Sequence, residues 1–179
     1  PLDGTSNFAA GLPIFGVSAA LLVAEQPVLG VVFDPVRDEL FTALRGGGAF
    51  LNGEPIRVRR PHSLARSMGI LDFKRIDREL ARRLAGDQPF HSQRNFGSSV
   101  LEWCWLASGR VDFYLHGGQN LWDFAAGSLI AAEAGADVAT MAGEPLFAGD
   151  ILRRSVLAVA QEHLRAELAP YLWPGEPAG

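Results

Sequence analysis

Between Phe15 and Gly53 the chain alternates short apolar runs with turn-forming residues, and this rhythm restricts the fold more than any other feature. Phe15 to Ala24, rich in Val, Ala and Leu, reads as a strand, Gln26-Pro27 as a turn, and Val28 to Phe33 as a partner strand. Asp34 to Asp38 forms a second turn and Leu40 to Leu44 a third strand, with Gly46-Gly47-Gly48 breaking the chain before Ala49-Phe50 and Asn52-Gly53. The pattern predicts a meandering antiparallel sheet, preceded by a short helix that opens near Thr5.

From about Ser63 the periodicity changes. Ile76 to Leu84, Ser99 to Ala107 and Trp122 to Ala134 carry apolar residues at helical spacing, and they alternate with strand candidates at Ser67 to Leu71, Val111 to Leu115 and Ser155 to Ala160. His163 to Tyr171 reads as a closing helix and Pro174 to Gly179 as a loose tail. The expectation is a layered α/β fold in two units, 1–62 carrying the antiparallel sheet and 63–179 the α/β part, with a cleft between them.

Composition removes several function classes. The net charge is -4, with 16 basic and 20 acidic residues dispersed along the chain, so no basic run tracks a nucleic-acid backbone and nucleic acid is not an expected partner. Cys104 is the single cysteine, which excludes an internal disulfide framework and a cysteine-based zinc site. The apolar run from Ile14 to Ala24 is shorter than the ~20 residues of a spanning helix, so no membrane partner is expected and a cytoplasmic location is. Lys74 is the sole lysine among many arginines, a bias that fits a GC-rich bacterial genome.

Two segments carry chemistry. In Pro1-Leu2-Asp3-Gly4-Thr5-Ser6-Asn7-Phe8, a carboxylate precedes a glycine free to adopt unusual backbone angles, followed by hydroxyls where a helix can begin. Such a segment suits a hard cation on carboxylate oxygen, with a phosphate set against unpaired N–H groups. In Leu121-Trp122-Asp123-Phe124-Ala125-Ala126-Gly127, Asp123 falls in the first turn of a helix whose small residues admit a close neighbour. Either segment alone also reads as an ordinary capped helix start.

Together, and with Gly30-Val31-Val32-Phe33-Asp34-Pro35, Gly46 to Gly53, Gly97-Ser98-Ser99 and Glu133-Ala134-Gly135 in order between and after them, they resemble the inositol monophosphatase family over essentially the whole chain to about Ala160. The resemblance implies a helix–sheet–helix–sheet–helix sandwich, a homodimer, and Mg²⁺-dependent hydrolysis of a small phosphorylated polyol or nucleotide. It implies that Asp3, Asp123 and the backbone carbonyl of Leu2 hold the metal. Gly4 and Thr5 would bind phosphate, with the Thr5 hydroxyl near the attacking water and Asp3 also catalytic. Gly97, Ser98, His116 and Asp123 would contact the substrate. His116 stands where relatives often carry a glutamate that contacts sugar hydroxyls; on the residues alone it reads equally as a solvent-facing histidine in a turn at Gly117-Gly118.

The family pattern also has an Asp before the position of Pro1 and further acidic groups upstream, so the sequence is read as a fragment. Weak metal binding, little activity and aggregation through uncovered apolar faces are expected of it alone. The substrate expected first is myo-inositol monophosphate; nucleoside 3′,5′-bisphosphate, fructose bisphosphate and histidinol phosphate are the rivals. A regulatory member associated with transcription machinery, or a catalytically silent piece, are the readings of another class. Trp103, Cys104 and Trp105 are expected in a core or a subunit contact. The charged run Asp72 to Arg83 is expected as an exposed helix, from which an arginine could reach a second phosphate.

Overall fold

The structure is a computed structural model that describes residues 2–174. The first sheet runs β1 (Leu2–Asp3), β2 (Gly16–Val23), β3 (Gln26–Asp34), β4 (Glu39–Leu44), β5 (Gly48–Leu51) and β6 (Glu54–Pro55), paired antiparallel in sequence order, with a five-residue helix α1 (Thr5–Ala9) between its first two strands. After a 3-10 turn at Leu64–Arg66 come β7 (Met68–Leu71), α2 (Arg78–Asp87), β8 (Ser92–Arg94), α3 (Ser99–Ala107), β9 (Phe113–Asn120), α4 (Leu121–Glu133), β10 (Asp137–Ala139), β11 (Arg153–Val159) and α5 (Glu162–Leu172). These strands form a mixed sheet in the order β10-β11-β9-β7-β8, in which β7 runs parallel to both its neighbours.

Strand alternation explains the layering. In β9 and β11, Tyr114, Val156 and Ala158 enter one buried cluster, while Phe113, Leu115, Leu157 and Val159 enter another on the opposite face. The second cluster lies under α2 and α5, through Leu80, Leu84, Leu164 and Leu168. The first holds α3 and α4 between the two sheets and receives Val32 and Phe41 from the first sheet, so both sheets share one core. Each large side chain sealed there contributes roughly 1.5–3 kcal/mol. Trp103, Cys104 and Trp105 all lie in this core.

Close approach within the middle layer depends on missing side chains. A Cβ on Gly127 of α4 would collide with Trp103 of α3, and one on Gly30 of β3 would lie 2.8 Å from the Ala126 carbonyl oxygen. The opposite face of the first sheet is uncovered. Leu21, Leu29 and Leu44 are register partners across β2, β3 and β4 and all are exposed, as are Val17 and Leu40 in the row next to the helix entry.

Three local expectations need correction. The first hairpin turns at Ala24-Glu25, both in the left-handed region (φ 47° and 60°), and Gln26-Pro27 open β3 instead. A two-residue hairpin loop requires such angles, and Pro27 is accommodated where the register slips between Leu21 and Leu22. Gly117-Gly118 is strand, not turn, because β9 continues to Asn120. The charged run is helical only from Arg78, where the Asp77 side chain caps the helix by accepting the backbone N–H groups of Glu79 and Leu80. The tail expected from Pro174 lies outside the described residues beyond 174.

Candidate active site

Asp3 ends the short strand β1, which is held against β2 by the pairs Leu2 with Val17 and Asp3 with Gly16. The chain then turns through Gly4 at φ 79° into α1; a Cβ there would lie 2.7 Å from the Ile14 carbonyl oxygen, so only glycine fits. This turn aims the Asp3 carboxylate across to the start of α3. Its Oδ2 accepts the Ser98 hydroxyl at 2.8 Å and the Val100 N–H at 3.1 Å, and both bonds fall on that one oxygen.

Asp123 arrives from the other half of the sequence. Asn120 and Asp123 form a reciprocal capping box at the start of α4, with Asp123 Oδ2 accepting the Asn120 N–H at 3.1 Å and its side-chain amide at 3.2 Å. The two carboxylates line one polar pocket of about 300 Å³, together with Glu102, His116, Arg75 and Arg153. Burial pushes the Asp123 carboxyl above its ordinary range, and the charge of Asp3 acts in the same direction.

Glu102 is 4 % exposed and forms the pocket's floor. Its Oε1 accepts the N–H groups of Phe96 at 2.8 Å and Gly97 at 3.1 Å, while burial raises its pKa to about 7. The same loop is tied to the first motif by Asn7, whose amide donates to the carbonyls of Ile14 at 2.9 Å and Phe96 at 2.7 Å. His116 is 8 % exposed, not solvent-facing. Its Nδ1 accepts the Gly118 N–H at 3.1 Å, which puts the ring proton on Nε2, and burial holds its pKa down to about 4.

The structure therefore brings Asp3, Asp123, Gly97 and His116 to one pocket. Leu2, Gly4 and Thr5 adjoin Asp3 in sequence without lining it. Ser98 is fully buried, and its hydroxyl is spent on Asp3, so it orients that carboxylate and does not face a substrate. Reading the sequence missed Glu102, Asn7, Asn120 and Arg153. A lone carboxylate inside the apolar stretch Val100 to Ala107 signals Glu102, and the Asn-x-x-Asp spacing signals the capping box; nothing in the sequence marks Arg153.

A sequence model of the inositol monophosphatase family matches residues 1–175. The chain belongs to this family. It is 43% identical over 140 residues to the Nus factor SuhB of Pasteurella multocida, covering 75% of this chain and 52% of that protein. Inositol monophosphatase 2 of Solanum lycopersicum is 39% identical over 174 residues, covering 92% and 63%. The crystal structure of inositol monophosphate-bound SaIMPase-II, a Staphylococcus aureus protein, superposes with a TM-score of 0.84 to 0.87 across its related forms at 27% to 28% identity, covering 97% to 98% of this chain and 66% to 69% of that one. The fold is that of inositol monophosphatases, and the chain spans about half to two-thirds of the length of these relatives.

The family is generally metal-dependent, and the pocket's donors suit a hard divalent cation. Its acids offer carboxylate oxygens, and Asp3 and Asp123 each have one oxygen fixed by protein donors and the other left for a further partner. The Asp123 carboxylate, which burial and the neighbouring charge of Asp3 disfavour as an anion, is stabilised by such a charge. Among the described residues no group of three or more His, Cys, Asp or Glu side chains is arranged to hold a metal ion by itself. No helix among them is long and apolar enough to cross a membrane.

Proposed function

We propose that the protein hydrolyses a small phosphate monoester, with myo-inositol monophosphate as the leading substrate, to an alcohol and inorganic phosphate in the presence of Mg²⁺. The observation that carries this reading is the convergence of Asp3 and Asp123, 120 positions apart in the numbering, on one polar pocket. The bound inositol monophosphate named for SaIMPase-II supports the choice of substrate.

Asp3, Asp123 and the Leu2 carbonyl would hold the cation, which when bound supplies charge neutralisation and acidifies water. The chain's own residues do the positioning. Ser98 and the Val100 N–H fix the Asp3 carboxylate, and Asn120 fixes that of Asp123. Gly4 and Thr5 offer backbone N–H groups and a hydroxyl to the phosphoryl group, and Gly97 and neutral His116 face the alcohol portion, where Nε2–H donates to a hydroxyl. The test is phosphate release from a panel of monoesters by the full-length protein with Mg²⁺. Asp123→Asn is expected to lower kcat/KM by more than the ~10–100-fold typical of losing an outer-shell partner; turnover of every substrate indifferent to that change would overturn the reading.

The 43% identity to proteins named Nus factor SuhB favours a second reading, association with transcription machinery independent of hydrolysis. The exposed apolar face of the first sheet, outside the pocket, is a surface available for it. Co-purification with polymerase subunits that survives Asp3→Asn supports this reading, and its absence counts against it.

A further inference from the structure

Two side chains hold the peptide group between Phe96 and Gly97 from opposite ends. Its carbonyl oxygen accepts the Asn7 amide at 2.7 Å, and its N–H donates at 3.1 Å to Glu102 Oε1, which also takes the Phe96 N–H at 2.8 Å. The same N–H has a second acceptor in Asn95 Oδ1 at 3.2 Å. This peptide belongs to the pocket wall, since Asn95, Gly97 and Glu102 all line the pocket. Gly97 stands at φ 76°, where glycine enters without strain, and a peptide beside glycine rotates readily. A half-turn of the peptide plane would aim its oxygen at the Glu102 carboxyl and its N–H at the Asn7 nitrogen, which is itself fixed on the Ile14 carbonyl at 2.9 Å. Acceptor would then meet acceptor and donor would meet donor, so the pair admits one orientation.

Glu102 is in turn oriented from behind by a chain of buried donors. The Trp103 indole N–H, which can only donate, reaches Gln119 Oε1 at 3.0 Å. That fixes the amide so that its Nε2 donates to the Tyr114 hydroxyl oxygen, leaving the phenol proton for the Glu102 side chain, to which it hydrogen-bonds. Gln119 reaches Tyr114 through a bulge in β9. His116 pairs with Val156 and Gln119 with Arg154, so Gly117 and Gly118 together stand opposite Ser155. The extra residue breaks the strand alternation and puts Gln119 on the face of Tyr114. Trp103, Tyr114 and Gln119 are all buried, and of the four side chains Glu102 alone lines the pocket.

We infer that Glu102 is a positioning residue: together with Asn7 it locks the Phe96–Gly97 peptide, and the wall so fixed discriminates the alcohol portion of the substrate. This rests on the phosphatase reading, in which Gly97 faces that portion, and adds to it the residues that set selectivity. Asp3 and Asp123 act at the phosphoryl end and serve every ester alike. The wall serves only esters whose alcohol portion is large enough to meet it.

The test compares myo-inositol 1-phosphate with methyl phosphate on the full-length protein with Mg²⁺. The unaltered protein should prefer the inositol ester in kcat/KM by about 10-fold or more. Glu102→Leu and Asn7→Ala should each cut that preference about 10-fold, chiefly through KM for the inositol ester. Glu102→Gln, which keeps a carbonyl oxygen for both N–H groups, should retain most of it; should Glu102→Leu not fold, Asn7→Ala decides. No preference in the unaltered protein, a preference that the variants leave in place, or an equal fall for both esters overturns the inference while the phosphatase reading stands. If neither ester is cleaved, the phosphatase reading fails, and calorimetry with myo-inositol 1-phosphate against inorganic phosphate then decides the role of the wall. It stands if the variants weaken binding of the ester more than that of phosphate, and falls if they do not or if the unaltered protein binds neither.

Discussion

Asp123 serves its helix and its pocket with different oxygens: Oδ2 closes the capping box with Asn120, and the other oxygen is left for the pocket. Asp3 divides its carboxylate in the same way between the start of α3 and the pocket. Both were legible in the sequence because each lies in a contiguous motif. Glu102 was marked only as a lone acid in an apolar stretch, and Asn7 was not marked at all, since what defines it is a fold-dependent partner, the Phe96 carbonyl 89 positions away. Two buried groups in the pocket make opposite demands on pH. Burial lifts Glu102 from its ordinary 4.5 to about 7, so between those values the folded protein binds the extra proton and stability falls as pH rises. Burial lowers His116 from 6.5 to about 4, so between those values the unfolded chain binds the extra proton and stability rises with pH. Each term is on the order of 3 kcal/mol across its window, and from about pH 4.5 to 6.5 they nearly cancel. Relative to the unaltered, metal-free protein, His116→Asn should lose stability as pH rises through that interval, and Glu102→Gln should gain it. Parallel Tm profiles for all three proteins would refute the pair.

At the scale of elements, the order of strands and helices followed the hydrophobic rhythm, while the places where it misled share one cause. A turn was assigned wherever Gly or Pro clustered, but Gln26-Pro27 and Gly117-Gly118 are in strands because neighbouring chain segments decide them: a register slip for Pro27, and the Arg75 carbonyl for Gly117. The short strands β8 and β10 were missed for lack of a periodic run in three residues. The small residues of α4, by contrast, were correctly read as a site of close packing. Gly127→Ala gains up to ~1 kcal/mol of helix propensity, but the new Cβ collides with Trp103, and overpacking at ~1–3 kcal/mol should prevail, giving a net loss of stability in urea. Gly86→Ala in α2 meets nothing within 4 Å and should instead stabilise by up to ~1 kcal/mol. If both substitutions shift the urea midpoint the same way, the packing account of α4 is wrong.

Across the whole molecule, two sheets share one core, yet the first sheet leaves Val17, Leu21, Leu29, Leu40 and Leu44 exposed on its far face. A contiguous apolar face of this kind drives association in water. The 179-residue chain on its own should self-associate, and Leu21→Lys with Leu29→Lys should shift its sedimentation toward the monomer; unchanged sedimentation would show that the face is not responsible. The layered architecture and the pairing of the two motifs that carry Asp3 and Asp123 were readable before any coordinates. Of the pocket's cationic side only an arginine from the run Asp72 to Arg83 was anticipated; Arg153 was not, because it acquires its position only when β11 pairs with β9. The account depends above all on a divalent cation shared by Asp3 and Asp123, and Mn²⁺ titration followed by the electron paramagnetic resonance of the free ion tests this without relying on turnover. The full-length protein should remove Mn²⁺ from solution, and Asp3→Asn and Asp123→Asn should each weaken that uptake at least about 10-fold; uptake unchanged in both variants would contradict the account.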